Sequence, residues 1–453
     1  MAIQFEGVQN RVAVAQMIAN ESLYRLSMNL VFPRISNRTY QHYFDDSIGD
    51  TVTVKRPYKA RAQTGRIMRD KSALIDKTVE ISIDQRHHFA IETVDEDHTL
   101  RIEDYGERYL EVGAEELAYV YDTAGGEELS KTFFFHEGGS GSDLDHTAGQ
   151  QVTAHASKVA IPRKRRFAVI DPYAVASISE EVMALDAPEM VQGAIRDMYR
   201  GKYAGWNLIE SNFISPLDCA AVHSSTVPAI NGTNAAARTG DSIITDGWGG
   251  SGSRTVLKKG QLIQIAGVYE VQPRGDRRST GNLQTFVVTE DVVTSNASAT
   301  IPIYPEIIGP PTQAVGRDIP NPGEDVDGNR DFDGGNDEAN LNQSAFQTVN
   351  AIPANNARIT IVGMSAGESA RSFRQTLFMC GDALEYINVK LKTPKSAFLS
   401  GSQVDDETGL AITYTSDWNQ EQYTEVDRMD ILFGTKNIYP ELGIRHIGDR
   451  IGG

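Results

Sequence analysis

The sequence predicts an α+β fold with a separate all-β portion, on three observations. The stretch from about Thr99 to Leu129 carries helical periodicity. Short alternating apolar runs recur on both sides of it. From about Val222 to Val362 the helical period disappears while Gly, Thr, Asn, Ser and Pro rise. At 453 residues the chain has length for about three domains. A hydrophobic fraction of 40% supplies a core and excludes global disorder. Sixty-one acids against 43 bases give a net charge of −18, which argues against non-specific nucleic-acid binding over most of the surface. Cys219 and Cys380 stand far apart without metal-ligand spacing and read as buried or free thiols of a reducing compartment. The first residues lack the basic start and apolar core of a secretory signal, and no apolar run approaches the ~18 residues of a membrane span. The chain is therefore expected in the cytosol, or in a particle assembled there.

Taken in order, residues 11–32 place Val12, Val14, Met17, Ile18, Leu23, Leu26, Leu30 and Val31 near a helical stripe, read as an arm ahead of the body. Thr51–Val54 and Thr78–Asp84 alternate as two strands, with Val79, Ile81 and Ile83 sharing a face. Between them lie Lys59, Arg61, Arg66, Arg69, Asp70, Lys71, Asp76 and Lys77, so the pair reads as a long charged hairpin. A two-stranded hairpin is marginal alone in water, and its apolar face needs a surface to lie on. In the helical stretch, Leu100, Leu110, Leu117, Val120 and Tyr121 form the predicted buried stripe; Gly106 and Gly113 weaken it by up to about 1 kcal/mol each. His136–Asp143 reads as a linker. After it, Phe167–Ile170 is a buried strand, Asp171-Pro172 opens a helix over Tyr173–Leu185, and Trp206–Phe213 is a strand. Within the helix-free block, Gln261–Ala266, Gln284–Thr289, Ala299–Tyr304 and Arg358–Val362 are short strands of an antiparallel β-domain. Near the C-terminus, Leu410–Thr415 and Met429–Phe433 alternate around a polar turn, and a third stretch follows a break at Gly434 and ends at Tyr439–Leu442.

Two motifs invite chemistry. Gly363-Met364-Ser365-Ala366-Gly367 follows an apolar strand and precedes a segment open to a helix, the setting of a nucleophile elbow. Asp382 or Asp427 and then His446 complete a triad order for a serine hydrolase. Such an elbow tops a mainly parallel sheet, whereas the surrounding strands read as short and antiparallel, so the Gly/Ser turn is expected to rejoin two domains. The acidic run Asp318–Glu338 approaches a calcium loop, as in a calcium-dependent β-rich surface protein. From Asp327 the ligand positions Asn329, Asp331 and Glu338 fit, but Phe332 holds the glycine position. From Asn329, Gly334 fits but Asn340 falls twelfth, so a solvated loop is the expectation. Arg163–Arg166 is the one dense basic run, read as a solvated turn able to meet acids of a neighbouring copy, DNA or an acidic partner. His87, His88 and the scattered histidines lack zinc spacing and read as surface or strand residues.

The segments, in their order, resemble the tailed-bacteriophage major capsid (coat) proteins, in the podovirus-type branch with an inserted β-domain. The C-terminal stretch Asp405–Gly448 carries much of the resemblance. Ser372-Phe373-Arg374-Gln375 with Asp382-Ala383 fits a second family pattern, although Met379-Cys380-Gly381 replaces a histidine-containing middle. The basic cluster, the Phe167 strand, the Asp171-Pro172-Tyr173-Ala174 helix start and Gly201–Phe213 follow in family order. Lys258–Pro273, Ser279–Val292 and Ala299–Ile308 resemble the inserted domain. The resemblance implies the tailed-phage/herpesvirus-type capsid fold: N-terminal arm 1–44, extended β-hairpin loop 45–90, peripheral domain with spine helix and first part of an axial domain 91–221, inserted β-barrel 222–362, and return to both domains over 363–453. It implies a non-enzymatic protein with no catalytic, cofactor or metal residues. Its copies would assemble as pentamers and hexamers into an icosahedral-type head shell around double-stranded DNA. Implied partners are scaffolding protein, a portal, DNA at the lumenal face and a cement or decoration protein, with no membrane; the implied location is the virion, assembled in the host cytoplasm.

Overall fold

The computed structural model describes residues 17–20, 22–24, 30–41, 51–56, 77–94, 111–139, 144–184, 201–232, 238–250, 252–273, 277–295, 297–310, 346–392, 399–405 and 409–451. Leu100, Leu110, Gly106, the middle of the hairpin and the acidic run 318–338 lie outside them.

The long helix spans Glu111–Thr132, about 33 Å at 1.5 Å per residue. Its buried stripe repeats in pairs: Gly113-Ala114, Leu117-Ala118, Tyr121-Asp122, Gly125-Gly126 and Leu129-Ser130. Seven of these ten residues are small or polar, so the stripe is narrow in apolar content yet closely packed. A Cβ on Gly113 would meet the Phe89 ring at 2.3 Å, and one on Gly126 would meet the Phe213 carbonyl oxygen at 2.1 Å. The glycine that weakens the isolated helix thus lets strands approach it. Gly126→Ala is expected to lower the denaturant midpoint of the chain. The roughly 1 kcal/mol gained in helix propensity is outweighed by an overpacking cost of about 1–3 kcal/mol against backbone.

Five strands form an antiparallel sheet against this helix: Gln85–Val94, Leu384–Asn388, Leu399–Val404, Ala411–Asn419 and Thr424–Asn437. Leu117, Tyr121, Tyr386, Ile431 and Phe433 fill the space between. Gly434 is no break, because the last of these strands runs through it to Asn437. A Cβ there would sit 2.0 Å from the Ser82 carbonyl oxygen, so the glycine marks where the hairpin base crosses the sheet.

A second, seven-stranded mixed sheet contains Phe135–Gly138, Arg166–Ile170, Lys202–Tyr203, Trp206–Glu210, Leu217–Cys219, Arg371–Cys380 and Gly443–Ile451. The expected linker at His136 begins as one of its strands, parallel to Ile444–Ile447. Two helices flank it. Pro172–Ala184 follows the predicted turn. His146–Lys158 starts at an Asp145 cap, whose side chain accepts the Ala148 N–H.

The chain leaves this sheet after Leu217–Cys219 and returns at Arg371–Cys380, which pairs with that same short strand. In between, six antiparallel strands run in the order Ile359–Ile361, Leu262–Val271, Ser279–Val288, Ala299–Ile307, Gly240–Asp246 and Ala229–Ile230. Ala229 bridges Arg358, and the Ile359 N–H donates to the Pro228 oxygen at 2.8 Å, so the sheet closes on itself as a barrel. One continuous core links the barrel to the seven-stranded sheet through Phe286, Ile263, Phe373, Phe378 and Trp206.

Candidate assembly joint

The two segments singled out as reaching beyond the body, the arm and the hairpin, are moored at one place. The arm over residues 30–41 lies along the edge strand Leu384–Asn388. Asn37 N–H donates to Leu384 O (2.9 Å), Tyr386 N–H donates to Asn37 O (3.2 Å), and Tyr40 N–H donates to the Glu385 carboxylate (2.6 Å). Pro33 sits at the start of a one-turn helix, Phe32–Ile35. The Asp122 side chain, from the long helix, accepts the N–H groups of Val31 (3.1 Å) and Phe32 (2.7 Å) at that start. Burial raises Asp122 to about 7 against those two donors, and raises Glu385 to about 7 against its Tyr40 donor.

The hairpin base, Thr51–Lys55 paired with Thr78–Ser82, sits beside the arm. Val54 and Ile81 pack with Ile387 and Ile438, and Tyr40, Val52, Ile83 and Tyr439 close the cluster. The hairpin base also grips the barrel. Arg56 donates to the Tyr304 hydroxyl (3.0 Å), and Lys77 pairs with Glu306 (3.0 Å). Burial pulls the Arg56 pKa down, but Tyr304 and Glu441 outweigh it and hold the guanidinium above its ordinary value. Lys77 and Glu306 are both substantially exposed, so that pair guides geometry more than it stabilises. Arm and hairpin base therefore share one small core with Ile387, Ile438 and Tyr439, and Arg56 and Lys77 tie the hairpin base to the barrel.

A second joint holds the barrel to the main body. His155 lies between Glu137 (Nδ1 to Oε1, 2.7 Å) and Glu270 of the barrel (Nε2 to Oε2, 2.9 Å). The Glu137 contact lies off the N–H direction and acts as an ion pair. Burial opposes the imidazolium, yet the two carboxylates raise it to about 9. Burial drives His136 and His446 nearby the other way, to about 4. The expectation of surface or strand histidines is therefore corrected at His155, which is buried on a helix between two acids. His87 and His88 do lie on a strand, Gln85–Val94.

Ser365, Asp382, Asp427 and His446 are not brought together. Ser365 is exposed in a turn, and its N–H donates to Glu368 Oε2 at 2.8 Å. Asp382 pairs with Arg165, Asp427 accepts the Tyr414 hydroxyl, and His446 is buried opposite Thr376. The segment after the turn is the strand Arg371–Cys380 rather than a helix, since its apolar residues are buried on both faces as in a central strand. Ser365→Ala is expected to leave the unfolding free energy within about 0.5 kcal/mol of the parent, as for an exposed surface change, checked by denaturant unfolding. The basic run divides. Arg163 and Lys164 are exposed, whereas Arg165 bonds Ile35 O, Ser36 O and Asp382, and Arg166 is buried over Trp206. Cys219 and Cys380 are buried free thiols, with burial pushing Cys219 up to about 12. Among the described residues no three His, Cys, Asp or Glu side chains are grouped to hold a metal, and no helix is long and apolar enough to cross a membrane.

No protein-family model matches the chain, and no curated protein matches it. It is similar to a solved structure from Mycobacterium phage Che8, at 12% identity and a TM-score of 0.43, over 92% of this chain and 90% of that one. It is also similar to the capsid structure of the cyanophage P-SCSP1u, at 12% identity and a TM-score of 0.41, over 92% and 88%. A third likeness is to the capsid of Ralstonia phage GP4, at 7% identity and a TM-score of 0.41, over 91% and 86%.

Proposed function

We propose that the chain is the major capsid protein of a tailed phage, a structural subunit that self-assembles into the head shell. The observation that carries this reading is the order of parts along the chain. Arm, hairpin, long helix and mixed sheet come first, then an excursion into a barrel, then a return to the strand next to the point of departure. That is the order in which the sequence resembles the capsid family. The common mooring of arm and hairpin supports it, because both can then reach neighbours from one fixed point.

In this reading each copy offers different patches to its neighbours, a head-to-tail arrangement that closes into rings of five or six. Many weak contacts along the lattice raise the effective affinity of each. Residues 1–44 and 45–90 contact neighbours, 91–221 and 363–453 form the body, and 222–362 is an inserted domain that steadies the subunit or decorates its surface. Scaffolding protein, portal, double-stranded DNA and a cement protein are the proposed partners, in a virion assembled in the host cytoplasm. Sedimentation of the chain co-expressed with its scaffolding protein tests the reading. Fast-sedimenting particles are expected from the full chain, and slow ones from a chain lacking residues 1–44. Slow species alone from the full chain, at every salt and concentration tried, would overturn it.

A further inference from the structure

Arg445, on the last strand, is completely buried. One terminal nitrogen donates to Ser130 O, to Gly260 O (3.0 Å) and to Gln375 Oε1 (3.3 Å). The Nε and the other terminal nitrogen are also buried and have no partner among the described residues. Burial lowers this guanidinium to about 9, and the one group acting to raise it is the Cys219 thiol. A buried cation without a counter-charge is costly, and unsatisfied buried donors call for a water or an ion.

The three acceptors of Arg445 all belong to residues lining a cavity of about 110 Å³, so the guanidinium lies near this cavity without itself lining it. Lys131, Lys258 and Lys259 also line it, with Asp218 and Asp291. Both acids are already engaged: Asp291 accepts the Lys259 N–H (2.8 Å) and Asp218 accepts the Ser372 hydroxyl (2.5 Å). Gly260, in the left-handed region at φ +90°, has no side chain to hold Lys131 away; a Cβ would lie 3.0 Å from it. The space equals roughly three or four waters at ~30 Å³ each, enough for one tetrahedral oxyanion.

We propose that this cavity, where the long helix, the barrel and the seven-stranded sheet meet, binds a small oxyanion of the phosphate or sulfate class. Lys258 and Lys259 supply the rim charge, Lys131 being paired with Glu127, and Arg445 adds positive charge nearby. The bound anion ties the three elements together by balancing a cation that none of them neutralises.

The test is the thermal midpoint of the full chain in low-millimolar inorganic phosphate, against chloride at matched ionic strength. Phosphate is expected to raise the parent's midpoint by about 2 °C beyond chloride. The Lys258→Gln/Lys259→Gln variant keeps Arg445 and its hydrogen bonds, and is expected to lose that difference. General salting effects act on parent and variant alike. Equal midpoints in the two salts, or a phosphate gain undiminished in the variant, would overturn the proposal.

Discussion

Replacing Gly434 with valine is expected to lift the hairpin base from the sheet while leaving the subunit folded. A Cβ at this position would lie 2.0 Å from the Ser82 carbonyl oxygen and 3.2 Å from the Ile83 Cα, both backbone atoms that no rotamer change can move. The overpacking cost is about 1–3 kcal/mol, and it falls where the hairpin joins the body. Protection of the amides of Thr51–Lys55 and Thr78–Ser82 against hydrogen exchange should fall by roughly 10–100-fold. Exchange in the barrel and the long helix should stay as in the parent. If the hairpin carries intersubunit contacts, particle yield should drop with it. Gly139→Ala is the control, because a Cβ there meets nothing within 4 Å. Unchanged protection in Gly434→Val would remove the joint from the account.

Removing His155 carries the other large effect. His155→Ala leaves Glu137 and Glu270 facing each other around a vacated site, with Glu270 almost wholly buried. Breaking such a group by removing one partner costs about 3–5 kcal/mol. Adding Glu270→Gln should recover part of that loss, because it removes the deeper of the two charges. The same joint fixes a pH dependence. His155 is raised from 6.5 to about 9, so its contribution is complete below pH 6.5 and is lost as pH rises through 9. His136 and His446 are lowered from 6.5 to about 4, so keeping them neutral costs stability as pH falls from 6.5 towards 4. Lys158, on the same helix as His155, hydrogen-bonds Thr280 O, and Arg445, lowered to about 9, is cationic on the acid limb and adds no alkaline loss of its own, because shedding its buried charge relieves a cost. Barrel amides should therefore be best protected near pH 6.5. In the His155→Gln variant the alkaline loss should disappear and the acid loss remain; an alkaline loss that persists there would contradict the assignment.

Much of the fold was legible in the sequence because burial on one face leaves alternation. Thr51–Val54 with Thr78–Ile83 and Ala299–Tyr304 were visible in this way, while Phe167–Ile170 showed as a short apolar run. The stripe of the long helix was half legible. Leu117 and Tyr121 mark it, but Gly125, Gly126 and Asp122 belong to it for reasons of close approach and arm mooring, which no periodicity records. Gly434 misled for the same reason: a glycine inside a strand looks like punctuation until the chain crossing it is known. Arg371–Cys380 resisted reading because a strand buried on both faces loses its period. The helix His146–Lys158 carries few large apolar residues, and its Asp145 cap was the local signal for it. The joints were least legible. His155, Glu137 and Glu270 lie far apart in sequence, as do Arg56 and Tyr304, and only the tertiary fold brings them together.

The central claim is that this chain builds a shell, and electron microscopy tests it most directly. The full-length protein would be co-expressed with its scaffolding protein, purified and viewed in negative stain. Hollow shells, tubes or aberrant spirals of regular capsomers are the expected result. A discrete small oligomer at every salt and protein concentration would contradict the account.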